Sequence, residues 1–318
     1  MARAQGARSQ MAVAFESVYG TAPASGSYWK MPFSRSTLGS EQNLIEDDLL
    51  GLGRDAQPPS RDAITADGEI NVPMDVRYIG VWLKALFGDP VTTGTGPYTH
   101  VFTSGSWALP SFSAEIGMPD VPYYAMVSGC KLDSMSFQMQ RSGLVTATMS
   151  VIAQGETTGT VSNVGTMQQE AVTRFGSFTG SISRNGSQLA NVVQGQVTYN
   201  NSLDRVETIR ADGKIDGVDP GKSMMSGTID VRFADTTLLD QAISGAACEL
   251  AFKYQIDASN SLEIVAHDVF LPKPKISIEG PAGVQASFAW QAAYDSVAGQ
   301  MATATLINDL ADYDNPSN

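Results

Sequence analysis

The residues best suited to chemistry in this sequence are two histidines and two cysteines, and no catalytic pattern surrounds them. His100 and His267 each stand alone in a predicted strand, so neither has a partner for acid–base or nucleophilic catalysis. Cys130 and Cys248 fall one in each half of the chain, and we interpret both as small buried hydrophobic residues, not as a disulfide framework. The short motifs of zinc hydrolases and of nucleophile elbows do not occur. The sequence therefore predicts no enzyme.

Glycine pairs and aspartates are the remaining candidates for holding a phosphate or a metal ion. Segments 51–53 (GLG) and 94–96 (GTG) lack the third glycine of a dinucleotide fingerprint, which favours flexible loops. The spacing of Asp212, Asp216 and Asp219 does not fit a calcium loop, so we interpret them as solvated turn residues. We expect neither cofactor nor metal. A glycosidase, which needs two carboxylates about 5 to 10 Å apart, stays an alternative because the chain has many acidic residues.

Composition describes an acidic, globular chain of 318 residues, a length that suggests about two domains. Hydrophobic residues make up 42% and charged residues 17%, so each half can bury a core. The net charge of -13 repels polyanions, and tight DNA binding is not expected. The apolar stretch 11–15 is too short for a signal-peptide core, and no window reaches the ~20 apolar residues of a membrane span. Neither secretion by that route nor a membrane partner is expected.

Alternating apolar and polar residues predict a mainly β fold. Residues 134–140 and 145–153 alternate on either side of a turn, which is typical of a β-hairpin. A short helix is predicted over 78–87, because Ile79, Trp82, Leu83 and Leu86 fall on one helical face before Gly88 ends it. Further strands are predicted at 28–35, 69–76, 98–103, 111–118 and 123–132.

The second half repeats this order of elements. Residues 227–231 (GTIDV) resemble 68–72 (GEINV), and a second helix is predicted over 237–244. The later segments 248–256, 275–279 and 284–290 resemble, in turn, the strand 111–118, the strand through Phe137 and the strand after it. A repeat of this length indicates a duplicated domain. We predict two tandem copies of a β-sandwich or partly rolled β-sheet domain, each flanked by one short α-helix: domains over 1–155 and 175–300, a linker over 156–174 and a C-terminal tail over 301–318.

A long polar segment precedes the matching strand in each half, over 36–67 and 204–222, and both segments are predicted to be loops. Loops of that length in compact domains are usually functional or disordered. The first loop contains aliphatic residues beside acidic ones: Leu44, Ile45, Glu46, Asp47, Asp48, Leu49 and Leu50. Two interpretations stay open, a solvated loop or a loop that docks its apolar residues on a neighbouring subunit.

Taken in this order, segments 15–23 (FESVYGTAP), 47–54 (DDLLGLGR) and 67–72 (DGEINV) make the chain resemble the tail tube protein of long-tailed bacteriophages. The resemblance covers most of the chain. It implies a structural virion protein whose strands join those of its neighbours around a channel, in rings that stack into the tail tube. Single-domain members form rings of six subunits, so two fused domains imply three chains in a pseudo-hexameric ring.

The resemblance also implies partners and contact residues. The partners are copies of the chain, a tape measure protein inside the tube, and terminator and tail-tip or baseplate proteins at its ends, while DNA passes transiently. The protein is expected in the virion tail after synthesis in the cytoplasm of the bacterial host. Candidates for contacts between rings are Leu44, Ile45, Asp47, Asp48, Leu49, Leu50, Arg54, Arg205, Arg210 and Lys214. Candidates for the channel wall are Glu69, Asn71, Gln138, Gln140, Thr146, Thr148 and Asp230.

Two other functions stay open at this point. A surface binding module made of two adhesin-like or immunoglobulin-like domains would also be β-rich, repeated and acidic, but it would not form rings. A neck, terminator or capsid-decorating protein would be part of the virion without building the tube.

Overall fold

The structure, a computed structural model, describes residues 3–278 and 283–316. It is mainly β, as the sequence predicts, and the described residues contain the two α-helices α1 (Ile79–Phe87) and α2 (Thr237–Ser244). The strands of the first half are β1 (Gln10–Phe15), β2 (Trp29–Lys30), β3 (Arg35–Ser36), β4 (Gly39–Ile45), β5 (Ser60–Pro73), β6 (Val91–Thr93), β7 (Tyr98–Thr103), β8 (Phe112–Met118), β9 (Tyr123–Gln140), β10 (Thr146–Ala153) and β11 (Gly155–Gly159). Those of the second half are β12 (Gly180–Arg184), β13 (Ser187–Gln188), β14 (Val192–Asn200), β15 (Asp204–Val206), β16 (Gly217–Asp219), β17 (Met224–Arg232), β18 (Cys248–Asp257), β19 (Asn260–Phe270), β20 (Gln285–Ala293) and β21 (Ala302–Asn308).

Strands from both halves form one antiparallel run in the order β5, β10, β9, β14, β17, β20. At its centre β9 pairs with β14, from Ser134 opposite Asn200 to Gln140 opposite Gln194. Side chains alternate between the two faces because a strand has a period of two residues. The apolar face is buried in the core. The opposite side, called here the polar face, carries Glu69, Asn71, Ser134, Ser136, Gln138, Gln140, Thr146, Thr148, Ser150, Gln194, Gln196, Thr198, Asn200, Ser226, Thr228, Asp230, Ser287, Ala289 and Gln291.

Strand pairing follows the same order in the two halves. In the first half β5 pairs with β10, β10 with β9, β9 with β8, and β8 with β1. In the second half β17 pairs with β20, β20 with β19, β19 with β18, and β18 with β12. Each half places its helix after the first strand of this series. The two halves therefore share one order of hydrogen-bonded strands.

Helix α1 is enclosed on both sides. The sequence predicts one apolar face, and yet Lys84 is buried as well. The C-terminal segment explains this, because Nζ of Lys84 lies 2.7 Å from Oδ1 of Asp314 and 2.8 Å from Oδ1 of Asp89. Tyr313 packs over Gly80, where a Cβ atom would stand 2.0 Å from the tyrosine ring.

The segment predicted to be a C-terminal tail is part of the sheet, which corrects the boundary at 300. β21 pairs with β19 and with β7, so it connects a strand of each half. Beyond the strand, Nδ2 of Asn308 donates to the carbonyl of Val76 at 2.7 Å and to Oη of Tyr313 at 2.5 Å. The alternation in 302–308 (ATATLIN) is a local strand signal, but its partners are distant in the chain.

The other segments predicted to be irregular also contain strands. In 36–67, β4 pairs with the first part of β5, from Gly39 opposite Asp67 to Ile45 opposite Ser60. Alternation does not reveal this hairpin because both of its faces are largely exposed. In the predicted linker, β11 pairs with β9, and Oγ of Ser162 donates to Oε1 of Glu115 at 2.6 Å. The linker residues therefore pack on the first half.

Two predicted strands are shorter than expected or absent. The strand predicted at 28–35 is reduced to β2 and β3. Residues 275–278 of the strand predicted at 275–279 belong to no strand, and Glu279 lies outside the described residues. Pro272 and Pro274 precede this segment, and proline has no N–H to donate to a ladder. Within the described residues, 285–290 of β20 consequently pair only with β17.

The assignment of faces can be tested with two neighbouring residues of β9. Gln138 is exposed on the polar face, whereas Met139 is 5% exposed and packs in the core. Gln138→Lys should change the free energy of unfolding by no more than about 0.5 kcal/mol. Met139→Lys should lower it by about 3 kcal/mol or more, because it buries an unpaired charge. Urea unfolding measures both variants, and equal losses would contradict the assignment.

The packing of the C-terminal segment can be tested with two tyrosines. Tyr313 is 1% exposed and Tyr294 is 66% exposed. Tyr313→Ala should cost about 3 to 5 kcal/mol of unfolding free energy, the usual range for removing a buried aromatic ring. Tyr294→Ala is the matched control and should cost less than about 0.5 kcal/mol. A Tyr313→Ala protein as stable as the control would show that the C-terminal segment does not hold α1.

Candidate assembly surfaces

The polar face is a continuous surface that crosses both halves. The register between strands aligns its members in rows, one of which is Asn71, Thr148, Ser136, Thr198, Ser226 and Gln291. The structure places all the predicted wall candidates on this face: Glu69, Asn71, Gln138, Gln140, Thr146, Thr148 and Asp230. Sequence reasoning chose them as polar positions of separate strands, and the fold brings these four strands into one sheet.

Side-chain amides connect neighbouring strands across the polar face. Nε2 of Gln138 donates to Oε1 of Gln194 at 3.3 Å, and Nε2 of Gln194 donates to Oδ2 of Asp230 at 2.6 Å. The charged members of the face are two acidic residues, Glu69 and Asp230, and two arginines at its margins, Arg35 opposite Asn71 and Arg232 opposite Gln285. Hydroxyl and amide groups therefore dominate this surface.

Sequence reasoning missed the contribution of β14 to the polar face. Gln194, Gln196 and Thr198 lie opposite Gln140, Gln138 and Ser136 of β9. The signal was present, since these polar residues alternate with the buried residues Gly195, Val197 and Tyr199. No local pattern, however, indicates that this strand pairs with β9.

A second surface is the hairpin of residues 39–67, called here the arm. Its aliphatic side chains are exposed: Leu44 by 63%, Ile45 by 51%, Leu49 by 65% and Leu50 by 96%. β5 passes from the arm into the sheet at Gly68, where φ is +152° and a Cβ atom would stand 2.6 Å from the backbone of Leu38. Only glycine fits this bend without strain.

The tip of the arm holds the predicted contact residues together, exposed to solvent. Asp47, Asp48 and Arg54 are exposed there, and Oδ1 of Asp47 accepts a hydrogen bond from the backbone N–H of Leu49 at 3.0 Å. A two-stranded hairpin with no core of its own is marginally stable in water. A cluster of exposed aliphatic side chains on such a hairpin is typical of a surface that binds a partner.

The second long loop, residues 204–222, packs on the arm instead of projecting away from the chain. β15 pairs with β16 in this loop, Arg205 forms an ion pair with Asp67, and the carbonyl of Gly213 accepts a hydrogen bond from the N–H of Ile64 at 2.9 Å. Nζ of Lys131 also donates to the carbonyl of Val218 at 2.9 Å. The loop therefore braces the base of the arm.

The predicted contact residues of this second loop have partners within the chain. Arg210 forms ion pairs with Asp212 at 3.0 Å and with Asp216 at 2.7 Å. Hydrogen bonds from Arg210 lower the pKa of Asp212 to about 2. The side chain of Lys214 lies beside Gly155. These aspartates act as partners of an arginine and as turn residues.

His100 and the two cysteines have structural positions. His100 is buried in β7, where Nδ1 lies 2.8 Å from Oγ1 of Thr92 and Nε2 lies 3.0 Å from the carbonyl of Leu310. Burial lowers the pKa of this imidazole. Cys130 and Cys248 are both buried and free, as predicted.

The described residues contain neither a group of metal-binding side chains nor a membrane-spanning helix. Among residues 3–278 and 283–316, no three His, Cys, Asp or Glu side chains are grouped so that they could hold a metal ion. No α-helix in this part of the chain has the length and apolar character needed to span a membrane.

Comparison with known proteins agrees with the resemblance seen in the sequence. A family model described as phage tail tube protein matches residues 6–292, a range that includes the arm and all of the polar face. No curated protein matches the chain. Since the family match spans both halves and most of the sequence, the chain belongs to the phage tail tube protein family.

Proposed function

We propose that three copies of this chain close into a ring, that the rings stack into the tail tube, and that the polar face lines the channel through which phage DNA passes. Family membership makes the chain a structural component of the phage tail, one that assembles with copies of itself and with other tail proteins. The observation that carries the finer proposal is the polar face, which continues across both halves with few charges.

The number of chains is inferred from the order of strands together with the rings of six units that the resemblance to tail tube proteins implies. Each half contains the same series of hydrogen-bonded strands with a helix after the first of them. We infer that the chain holds two equivalent units, so three chains supply six units around one axis. Closure of a sheet into a ring removes exposed edges, which would otherwise pair with other chains without control.

The composition of the polar face supports a channel through which DNA slides. Duplex DNA carries one negative charge per ~1.7 Å of its axis, so a wall of lysine and arginine would hold it by counterion release. Hydroxyl and amide groups do not bind phosphates in that way, and the acidic Glu69 and Asp230 offset the two arginines of the face, Arg35 and Arg232. The net charge of the chain, -13, is negative like that of DNA, so the protein as a whole does not attract DNA. Contact with DNA is therefore transient.

The arm supports a contact between successive rings. Its aliphatic residues are exposed in the single chain, and the second loop holds its base through Arg205 and the backbone of Gly213. We infer that Leu44, Ile45, Leu49 and Leu50 insert against the neighbouring ring, while Arg205 keeps the arm in position through its ion pair with Asp67. Arg210 and Lys214 make their contacts within the chain, with Asp212 and Asp216 and beside Gly155. The solvated-loop interpretation does not account for so many exposed aliphatic side chains.

The remaining partners follow from a tube of this kind. A tape measure protein would occupy the channel during assembly, and terminator and tail-tip or baseplate proteins would cover the ends of the tube. The protein would be made in the host cytoplasm and then function in the virion tail. The adhesin alternative has no support from the family match.

Electron microscopy of the concentrated protein tests the ring directly. Negatively stained samples should contain rings with threefold symmetry and tubes of stacked rings, and sedimentation velocity should show a trimer as the smallest assembly. Monomers at every concentration would contradict the proposal. Rings that never stack would instead favour a neck or terminator protein.

The contact through the arm can be tested by changing Leu44, Leu49 and Leu50 together to serine. The variant should unfold at the same urea concentration as the wild type, because these side chains are exposed. It should form tubes only at a concentration at least about 100-fold higher, since each buried leucine contributes about 1.5 to 3 kcal/mol. The matched control changes Val161 and Val297, which are similarly exposed outside the arm, to serine. Normal tubes from the arm variant would disprove this contact.

A further inference from the structure

The pairing of strands between two copies of the chain can be inferred from the pairing of strands between its two halves. We propose that residues 275–278 form a strand when the ring closes, and that this strand joins the open edge of β20 to the outer edge of β3 in the next copy. This inference rests on the proposed ring. Within the chain, the same junction exists where the last part of β9 pairs with β10 on one side and with β14 on the other.

The pairing registers identify equivalent residues in the two halves. Ala147 of β10 lies opposite Val72, and Ala286 of β20 lies opposite Val231. Val72 and Val231 end the matching segments GEINV and GTIDV. Ala286 is therefore the counterpart of Ala147.

The strand that flanks β10 has its counterpart in a segment without strand structure. Phe137 of β9 lies opposite Ala147, which follows it by ten residues. The residue ten positions before Ala286 is Ile276. Ile276 already packs against the core, although it belongs to no strand. The segment around it is thus held against the core although it belongs to no strand.

The same comparison, taken two residues further along the chain, concerns the exposed Ile278. Ile278 is 79% exposed, whereas Met139, its counterpart in β9, is 5% exposed. Met139 is paired on the second side of its strand, where Gly195 of β14 lies opposite it, and its side chain lies beside Gly180. In the second half, the described chain provides no strand in the place of β14. A second copy of the chain would supply that strand and cover Ile278.

Pro272 and Pro274 can be compared with the matching positions of β9 in the same way. Pro272 corresponds to Asp133, which lies at a bulge between Leu132 and Ser134 of β9 and is left out of the ladder with β10. Proline is tolerated at bulges, since no N–H is needed there. Pro274 removes one further donor, so pairing with β20 alone yields few hydrogen bonds. We infer that the strand forms only when a second edge pairs with it.

The proposed strand of residues 275–278 would pair with the open edge of β3 in the next copy. Gly195 of β14 lies opposite Ile229, and Ser36 of β3 lies opposite Ile70, the residue equivalent to Ile229. Among the described residues, β3 pairs only with β5, so its other edge is open. The register of β9 with β14 then places Ile278 opposite Ser36 of the next copy. By the same register, Ile276 meets Leu38, which is an apolar side chain on the core side.

A disulfide test follows from this register. The double variant Ser36→Cys with Ile278→Cys should form covalent dimers and trimers on mild oxidation of assembled tubes, because residues opposite each other in antiparallel strands have Cα atoms about 4.5 to 5.5 Å apart. The native Cys130 and Cys248 are buried and free, so they do not compete. The matched control pairs Ser36→Cys with Val297→Cys, which is also highly exposed, and should stay monomeric on a denaturing gel.

Hydrogen exchange on the unmodified protein provides a second measurement that needs no variant. Amides of residues 275–278 should exchange at least about tenfold more slowly in tubes than in monomers, as strand amides become protected by pairing. Rings or tubes that form without the Ser36–Ile278 disulfide and without this protection would overturn the inference but leave the proposed function intact. Protein that forms neither rings nor tubes would overturn both.

Discussion

The antiparallel ladder between β9 and β14 is the interaction on which the rest of the structure depends. It joins the two halves into one sheet and aligns their polar residues in rows. Each backbone hydrogen bond contributes only about 0.5 to 1.5 kcal/mol net, but an unpaired buried group costs more than that. The end of the ladder is fixed by Asn201, whose Nδ2 donates to the carbonyls of Leu86 and Leu132 at 3.0 and 3.1 Å. The ladder is thereby tied to helix α1 as well.

Other contacts between the halves strengthen the same arrangement. β21, near the end of the chain, pairs with β7 of the first half, and the residues after it enclose α1. The linker packs back on the first half, where the buried carboxylate of Glu115 accepts hydrogen bonds from Ser162 and from the N–H of Asn163. A sheet held in this way offers a rigid surface, and a channel wall needs that rigidity because its polar rows must stay aligned.

In the proposed function, the two faces and the edges of this sheet have different roles. The apolar face supplies the stability of the chain through burial. The polar face contributes hydrogen bonds between strands, and in the proposed function it makes the weak contacts with DNA. The edges and the arm carry the unsatisfied groups, which are backbone donors and acceptors at the edges and aliphatic side chains at the arm. A single chain is thus stable and still incomplete.

The sequence by itself determined the class of fold, most of the strands, both helices and the family. These features are local, since a period of two or of 3.6 residues appears in any short window. It also separated the wall candidates from the core residues within each strand, because alternation decides which residues of one strand share a face. Residues 36–67 and 302–308 show the limit of this reasoning, as their strands pair with partners that leave no mark in the local pattern.

Only the tertiary structure decided which strands are neighbours, which loop projects and which edges stay open. Arg205 and Arg210 look like free contact residues in the sequence, but the fold brings Asp67 and Asp216 within reach of them. Lys84 looks exposed until the C-terminal segment covers it. Pairing between residues far apart in the chain depends on the packing of the whole chain, and that packing cannot be derived from the pattern of any one segment.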